Sequence, residues 1–395
     1  MYKFALIWLV LCLSTVTEGK PASENLLVEK QIFTTHQFEL FNGKVLPEVK
    51  VGWESYGKLN ADKSNAILVT HYFTGTSHAA GKYHSDDETA GYWDAIIGPG
   101  KAIDTNRYFV VSVDSLANIN AYDENVVTTG PASINPQTNQ PWGLDFPVVT
   151  IRDFVNIQKA VLQSLGIETL HAVIGPSMGS MQALDWAAAY PEQVKRVISV
   201  IGSGESDAWT TAMLEQWTLP IKLDPKWNNG NYAKDHPPVE GLVASLMLIT
   251  QQALTPAFFN NQGNMLSYAP LERGPLNDIN MSHTIVNWLK QRAASRTEKM
   301  DANSLLYLAR ACQLYVAGHQ HSLKKGLKRV TAPSLFLPSE SDLLLMPYLA
   351  EGPHQLLNQS SKLLTLEGQF GHLEGVVNVQ QHAEAITTFL NNPVR

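Results

Sequence analysis

The sequence predicts an α/β fold: a mostly parallel sheet flanked by helices, with a helical insertion before its last strands. Two observations carry this. Short apolar runs stand at Ala66-Ile67-Leu68-Val69-Thr70, Tyr108-Phe109-Val110-Val111-Ser112-Val113, His171-Ala172-Val173-Ile174 and Val197-Ile198-Ser199-Val200-Ile201. Such runs are typical of strands buried on both faces. Stretches with helical spacing fall between them, over residues 150–162 with Gly166 as a stop and over residues 180–190 ending at Pro191. Alternation of this kind means parallel strands joined by right-handed crossovers.

Taken in order, residues 27–57 read as β structure, and residues 48–57 alternate enough for an antiparallel leading strand. Between residues 205 and 325 the rhythm changes to long helical patterns, broken at Asp224-Pro225, Asn228-Asn229-Gly230 and Pro237-Pro238. This reads as a helical lid over the catalytic end of the sheet. Strand-like runs return at Ser334-Leu335-Phe336-Leu337 and Lys362-Leu363-Leu364-Thr365-Leu366. The expected organisation is core over 25–204, lid over 205–325 and core again over 326–395.

The pentapeptide Gly175-Pro176-Ser177-Met178-Gly179 is a G-x-S-x-G. Chance gives one such pattern in roughly a tenth of chains of this length, so the pattern alone decides little. Its setting decides more, with an apolar strand before it and a helix after it. A sharp strand-to-helix turn holds a serine in a strained, exposed position, and the flanking glycines remove Cβ clashes. This is the nucleophile elbow of α/β-hydrolases, so the fold is expected to be an α/β-hydrolase fold.

A serine hydroxyl needs a base within hydrogen-bond reach, and the base needs an orienting acid. In this fold the chain order is Ser, acid, His. Asp342 follows the strand at 334–337, and His372 follows the next strand. The expected triad is Ser177, Asp342 and His372, with Glu340 a rival acid and His354 a rival base. The oxyanion hole needs two backbone N–H groups, expected from Met178 and from Phe73 in the loop after residues 66–70. A metal site from His71, His78 and His84 matches no trusted ligand spacing, so neither a metal nor another cofactor is expected.

The 395 residues are 44% hydrophobic and 16% charged, with a net charge of -7. That supports a large core, and no basic block suggests nucleic acid as a partner. Met1-Tyr2-Lys3, the apolar run over 4–13 and the small and polar residues over 14–19 have the three parts of a secretory signal peptide. The expected signal peptide is residues 1–19, and the expected location is the periplasm or outside the cell. The run is too short to span a bilayer comfortably, and no span is expected in the mature chain. Of the two cysteines, Cys12 would leave with the signal, and Cys312 reads as a buried small hydrophobe on a helix.

Several blocks resemble the homoserine O-acetyltransferase family. They include Trp93-Asp94-Ala95-Ile96-Ile97-Gly98-Pro99-Gly100, Thr129-Gly130-Pro131-Ala132-Ser133-Ile134-Asn135-Pro136, Asp145-Phe146-Pro147-Val148-Val149-Thr150-Ile151-Arg152-Asp153, the elbow, and Asp301-Ala302-Asn303-Ser304. The likeness covers roughly residues 35 to 390. It implies an α/β-hydrolase fold with a helical lid, a serine that passes acetyl from acetyl-CoA to homoserine, and triad roles for Ser177, Asp342 and His372.

There are departures. Pro176 and Ser180 replace two glycines of the family elbow, and the block at 116–127 is longer and different. The family's carboxylate-reading arginine aligns with Leu246, and the family's acid after the catalytic histidine is replaced by Leu373. A leucine cannot make the bidentate contact a carboxylate wants. Export would also separate the enzyme from cytosolic acetyl-CoA. The expected function is therefore an exported serine acyl-transfer enzyme, acting as an esterase or on a non-homoserine acceptor through an acyl-Ser177 intermediate. A true homoserine O-acetyltransferase and a non-catalytic binding protein are the alternatives. The expected partner is a small acyl ester or acyl donor, and a homodimer is compatible with either reading.

Overall fold

A computed structural model describes residues 26–262, 273–357 and 360–393. The expected signal peptide and Cys12 lie outside the described residues.

The core is an eight-stranded sheet. Its strands are β1 (Gln31–Glu39), β2 (Val45–Tyr56), β3 (Ala66–Val69), β4 (Phe109–Val113), β5 (Ala172–Pro176), β6 (Val197–Val200), β7 (Ser334–Leu337) and β8 (Ser361–Leu363). They lie in the order β1-β2-β4-β3-β5-β6-β7-β8. β2 pairs antiparallel with β1 and with β4, and every other pairing is parallel. The central strands β3 and β6 are buried along their whole length, which is why they read as unbroken apolar runs. The run expected over 362–366 divides, with β8 ending at Leu363 and Leu366 making a lone parallel bridge to Ser339.

Helices α1 (Ile151–Ser164) and α2 (Met178–Ala189) pack together beside the sheet. Arg152 on α1 grips the fully buried Asp185 on α2 with two bonds, Nε to Oδ2 at 2.6 Å and Nη2 to Oδ1 at 3.1 Å. This fork fixes the helix that begins at the elbow. α2 is buried on all sides, so it carries no polar face.

Between β6 and β7 the chain forms α3 (Ala208–Leu223), α4 (Val239–Ala253), α5 (Pro256–Gln262), α6 (Arg273–Asn277), α7 (Thr284–Ala294), α8 (Ala302–Gln313) and α9 (Leu323–Leu327). α3 starts at a cap, with Asp207 Oδ1 accepting from the Thr210 N–H at 2.8 Å. α3 packs on α4 and α8, and α4 packs on α7. After β7 come α10 (Tyr348–Leu357), α11 (Glu374–Val377) and α12 (Ala383–Asn391). Among the described residues no helix is long and apolar enough to cross a membrane.

The order β4-β3-β5 reverses direction at the centre of the sheet. Ligands in such folds bind in the crevice beyond the carboxyl ends of the strands flanking that point. The loops after β3, β5, β7 and β8 all open there.

Candidate active site

β5 delivers Ser177 at its carboxyl end. Ser177 has φ 57 and ψ −121, an uncommon conformation for a residue with a side chain. The turn is locked by Ser177 N donating to Val200 O at 2.9 Å and by Ser180 N donating back to Ser177 O at 2.8 Å. The glycines are sterically required. A Cβ on Gly175 would lie 2.1 Å from Thr70 Oγ1, and one on Gly179 would lie 2.1 Å from Thr70 O. Ser180, where the family has glycine, is accommodated by a glycine elsewhere: its Oγ would be 1.8 Å from a Cβ on Gly202. Ser180 Oγ instead pairs with Ser199 Oγ at 2.6 Å.

The sequence expectation of an exposed serine is corrected. Ser177 is only 7% exposed, because the inserted helices roof the elbow. The roof encloses a cavity of about 720 Å³, bounded by Ser177, His372, Met213, Trp217, Ile249 and Leu344 among others. That size suits a small organic molecule, for which pockets run to roughly 300–1,000 Å³.

His372 Nε2 lies 2.7 Å from Ser177 Oγ, and its Nδ1 lies 2.7 Å from Asp342 Oδ2. An ionised carboxylate only accepts, so Nδ1 carries the proton and Nε2 is free to accept from the serine hydroxyl. Asp342 is held by its other oxygen, which accepts from Leu344 N at 2.8 Å and Leu345 N at 3.0 Å. Asp342 and His372 are both buried, at 2% and 6% exposure. The rivals lie elsewhere. Glu340 is exposed, and His354 Nδ1 bonds Ser361 Oγ at 2.8 Å on α10.

The loop after β3 carries Phe73, whose ring stands edge-on to Trp217 at 5.5 Å. Among the described residues neither the Phe73 N–H nor the Met178 N–H donates to another group of the chain. The carbonyls around Phe73 are tied down. Gln182 Nε2 donates to His71 O at 3.2 Å, Asn120 Nδ2 to Thr74 O at 3.1 Å, and Asn118 Nδ2 to Gly75 O at 3.0 Å. The two asparagines come from the stretch at 116–127 that sets this sequence apart from the family pattern. That stretch has a job its sequence did not reveal.

His71 is fully buried, and burial lowers its pKa. Its Nε2 accepts from Ser115 N at 3.0 Å, so its Nδ1 donates to Tyr72 O at 2.8 Å. His78 Nδ1 lies 3.0 Å from Glu54 Oε2, and His84 pairs with Asp87. The three histidines have separate partners, and no metal-holding group of His, Cys, Asp and Glu occurs among the described residues. Cys312 touches the cavity, but burial pushes its thiol up to about 12, which leaves it inert.

Leu246 is fully buried in the core and forms no part of the cavity wall. Its helix instead presents Ile249, Thr250 and Ala253, none of them charged. The cations at the cavity are Arg292, Arg296 and Lys299, from α7 and the turn after it. Sequence reasoning missed them. The available signal was three cations, Arg292, Arg296 and Lys299, within eight residues of a stretch otherwise read as lid.

A serine on a strand-to-helix elbow, a histidine and an acid from the two following strand ends, and this strand order together define an α/β-hydrolase. The chain matches the family model for the alpha/beta hydrolase fold over residues 128–375. The chain belongs to the homoserine O-acetyltransferase family. It is 40% identical to homoserine O-acetyltransferase from Methanococcoides burtonii over 79% of this chain, and it spans only 62% of that longer relative. The crystal structure of homoserine O-acetyltransferase from Bacillus anthracis superposes with a TM-score of 0.89 at 36% identity, covering 93% of this chain and 99% of that one. Esterase E22 superposes with a TM-score of 0.91 at 64% identity, covering 92% of this chain and all of that one. A Leu-to-Asp variant of that esterase gives 0.92.

Proposed function

We propose that this protein is an exported serine acyl-transfer enzyme that acts chiefly as an ester hydrolase. One observation carries the reading: the unbroken line of 2.7 Å hydrogen bonds from Asp342 through His372 to Ser177, opening on an apolar cavity. Ser177 Oγ attacks the ester carbonyl while His372 Nε2 takes its proton. The carbonyl oxygen becomes an oxyanion held by the Phe73 and Met178 N–H groups. His372 then gives the proton to the departing alcohol, leaving an acyl-Ser177. Water attacks next, His372 takes its proton and returns it to Ser177, and the acid leaves.

Four features favour hydrolysis over transfer to homoserine. The cavity face of α4 is uncharged, and Leu373 follows His372 where the family has an acid. Identity to esterase E22, at 64%, exceeds the 36% identity to the Bacillus anthracis transferase. The apolar stretch at 4–13 fits export away from acetyl-CoA.

The test is turnover of p-nitrophenyl acetate by the mature chain, with and without L-homoserine, against Ser177→Ala as blank. Release that ignores homoserine and vanishes in the variant supports the hydrolase. Release accelerated by homoserine, with O-acetylhomoserine formed, restores the biosynthetic transferase. Release that survives in Ser177→Ala removes the serine mechanism altogether.

A further inference from the structure

The cavity is built mostly of apolar side chains, yet two arginines, the exposed Arg292 and the half-buried Arg296, stand at it without counter-ions among the described residues. Arg296 makes one hydrogen bond, Nη2 to Thr250 Oγ1 at 3.1 Å. Its Nε is shut off from solvent and has no partner among the described residues. Arg292 sits four residues earlier, its guanidinium 5.9 Å from the centre of the Trp288 ring. The neighbouring lysines contrast with both. Lys299 pairs with Asp123 at 2.8 Å, and Lys290 reaches Glu240 at 4.0 Å. Among the described residues no carboxylate comes within ion-pair distance of Arg292 or Arg296.

A guanidinium left unneutralised in a roofed site costs stability, since burying a charge without a partner is unfavourable. Burial, with Arg292 alongside, lowers the Arg296 pKa to about 10, the same imbalance seen from the proton's side. Among the described residues the only carboxylate lining the cavity, Asp123, is already taken by Lys299. An anion supplied from outside would remove the imbalance. A planar guanidinium edge suits a planar carboxylate, which it can hold by two parallel bonds.

We propose that the enzyme prefers esters carrying a free carboxylate, which Arg296 binds, with Arg292 adding to the attraction at the cavity mouth. This rests on the hydrolase reading and deepens it by naming the substrate class. The arginines take up the carboxylate while Ser177, at the same cavity, attacks the ester carbonyl. They would confer the carboxylate recognition that α4 lacks, from the other side of the lid.

The experiment compares p-nitrophenyl acetate with p-nitrophenyl hemiglutarate for an acyl-side carboxylate, and with the acetate ester of a 4-hydroxybutanoate for an alcohol-side one. The readout is the ratio of kcat/KM, anionic ester over neutral ester, in wild type, Arg296→Met and Arg296→Lys. The ratio should fall about ten- to a hundredfold in Arg296→Met, the range expected for losing a charged hydrogen-bonded contact, and recover in part in Arg296→Lys. Raising the salt concentration should lower the wild-type ratio.

A ratio unmoved by Arg296→Met overturns the proposal, as does a phosphate-bearing ester outpacing both carboxylate esters. Calorimetric titration of Ser177→Ala with the anionic ester separates this failure from failure of the hydrolase reading. Binding weakened in the Ser177→Ala, Arg296→Met double variant supports the anion site even without turnover. Binding equal in both overturns it, whatever the turnover shows.

Discussion

The two walls of the cavity are built on opposite principles. On the sheet side the reacting groups are held in place: Ser177, His372 and Asp342 are buried and hydrogen-bonded in series, and the Phe73 loop is pinned by Gln182, Asn118 and Asn120. The lid side leaves polar groups unmatched, with Arg296 Nε buried and unpaired among the described residues. The outer face of the lid, away from the cavity lining, also leaves apolar groups uncovered, with Leu276 82% exposed and Ile279 96% exposed. A preorganised wall suits chemistry, because donors and base are in place before substrate arrives. An unmatched wall suits recognition, because the substrate supplies what is missing. Under the proposed function the chemistry belongs to the sheet edge and the choice of substrate to the lid.

The comparison breaks first at the sheet edge if it is wrong. Asp342→Asn should lower kcat for p-nitrophenyl acetate by about 10⁴-fold, because an amide stabilises the wrong imidazole tautomer. Its carbonyl oxygen can still accept from Leu344 and Leu345, so the melting temperature should barely move. A loss of less than about tenfold would remove Asp342 from the mechanism.

The buried ion pair beside His78 should show in acid. Glu54 is fully buried between Lys30 and His78. Burial alone would raise its pKa, but the His78 hydrogen bond and the Lys30 ammonium overcome that and hold it at about 2. The folded pKa is thus below the unfolded value of 4.5. The stabilisation is fully present above about pH 4.5 and is lost as pH falls towards 2, on the order of 3 kcal/mol in all. Glu54→Gln should therefore be less stable than wild type in urea at pH 7, with the gap narrowing below pH 4.5. Parallel stability curves across that window would contradict this account.

The smallest effect belongs to the outer lid. Ile279→Ser changes a side chain that packs on nothing among the described residues, so unfolding free energy should move by no more than about 0.5 kcal/mol. A larger loss, measured by urea titration, would mean that the outer lid is packed in solution and that the contrast between the walls is overstated.

Much of this was legible in the sequence because the signals are local. A strand buried on both faces must be apolar along its length, so β3, β4, β5 and β6 announce themselves. The elbow shows as G-x-S-x-G between an apolar strand and a helix, although the clash with Thr70 that excludes a Cβ at 175 and 179 is a tertiary contact. The order Ser, Asp, His follows from strand ends that share one side of a parallel sheet. The lid was legible only as helices. Nothing in the residues around 292–296 says that they face Ser177 across a cavity, since that depends on how α7 packs on α4. For the same reason Leu246, aligned with an arginine, proves to be core, and the asparagines of 116–127 prove to be props for the Phe73 loop.

The sequence by itself determined the fold class, the elbow and the order of the site residues, because each rests on short-range sterics or on the periodicity of a single element. Only the tertiary structure decided that Ser177 is roofed rather than exposed, which acid and which histidine meet it, and which cations face it without partners. Those depend on contacts between segments far apart in the chain, and local pattern carries no record of which distant side chain will fill a given space.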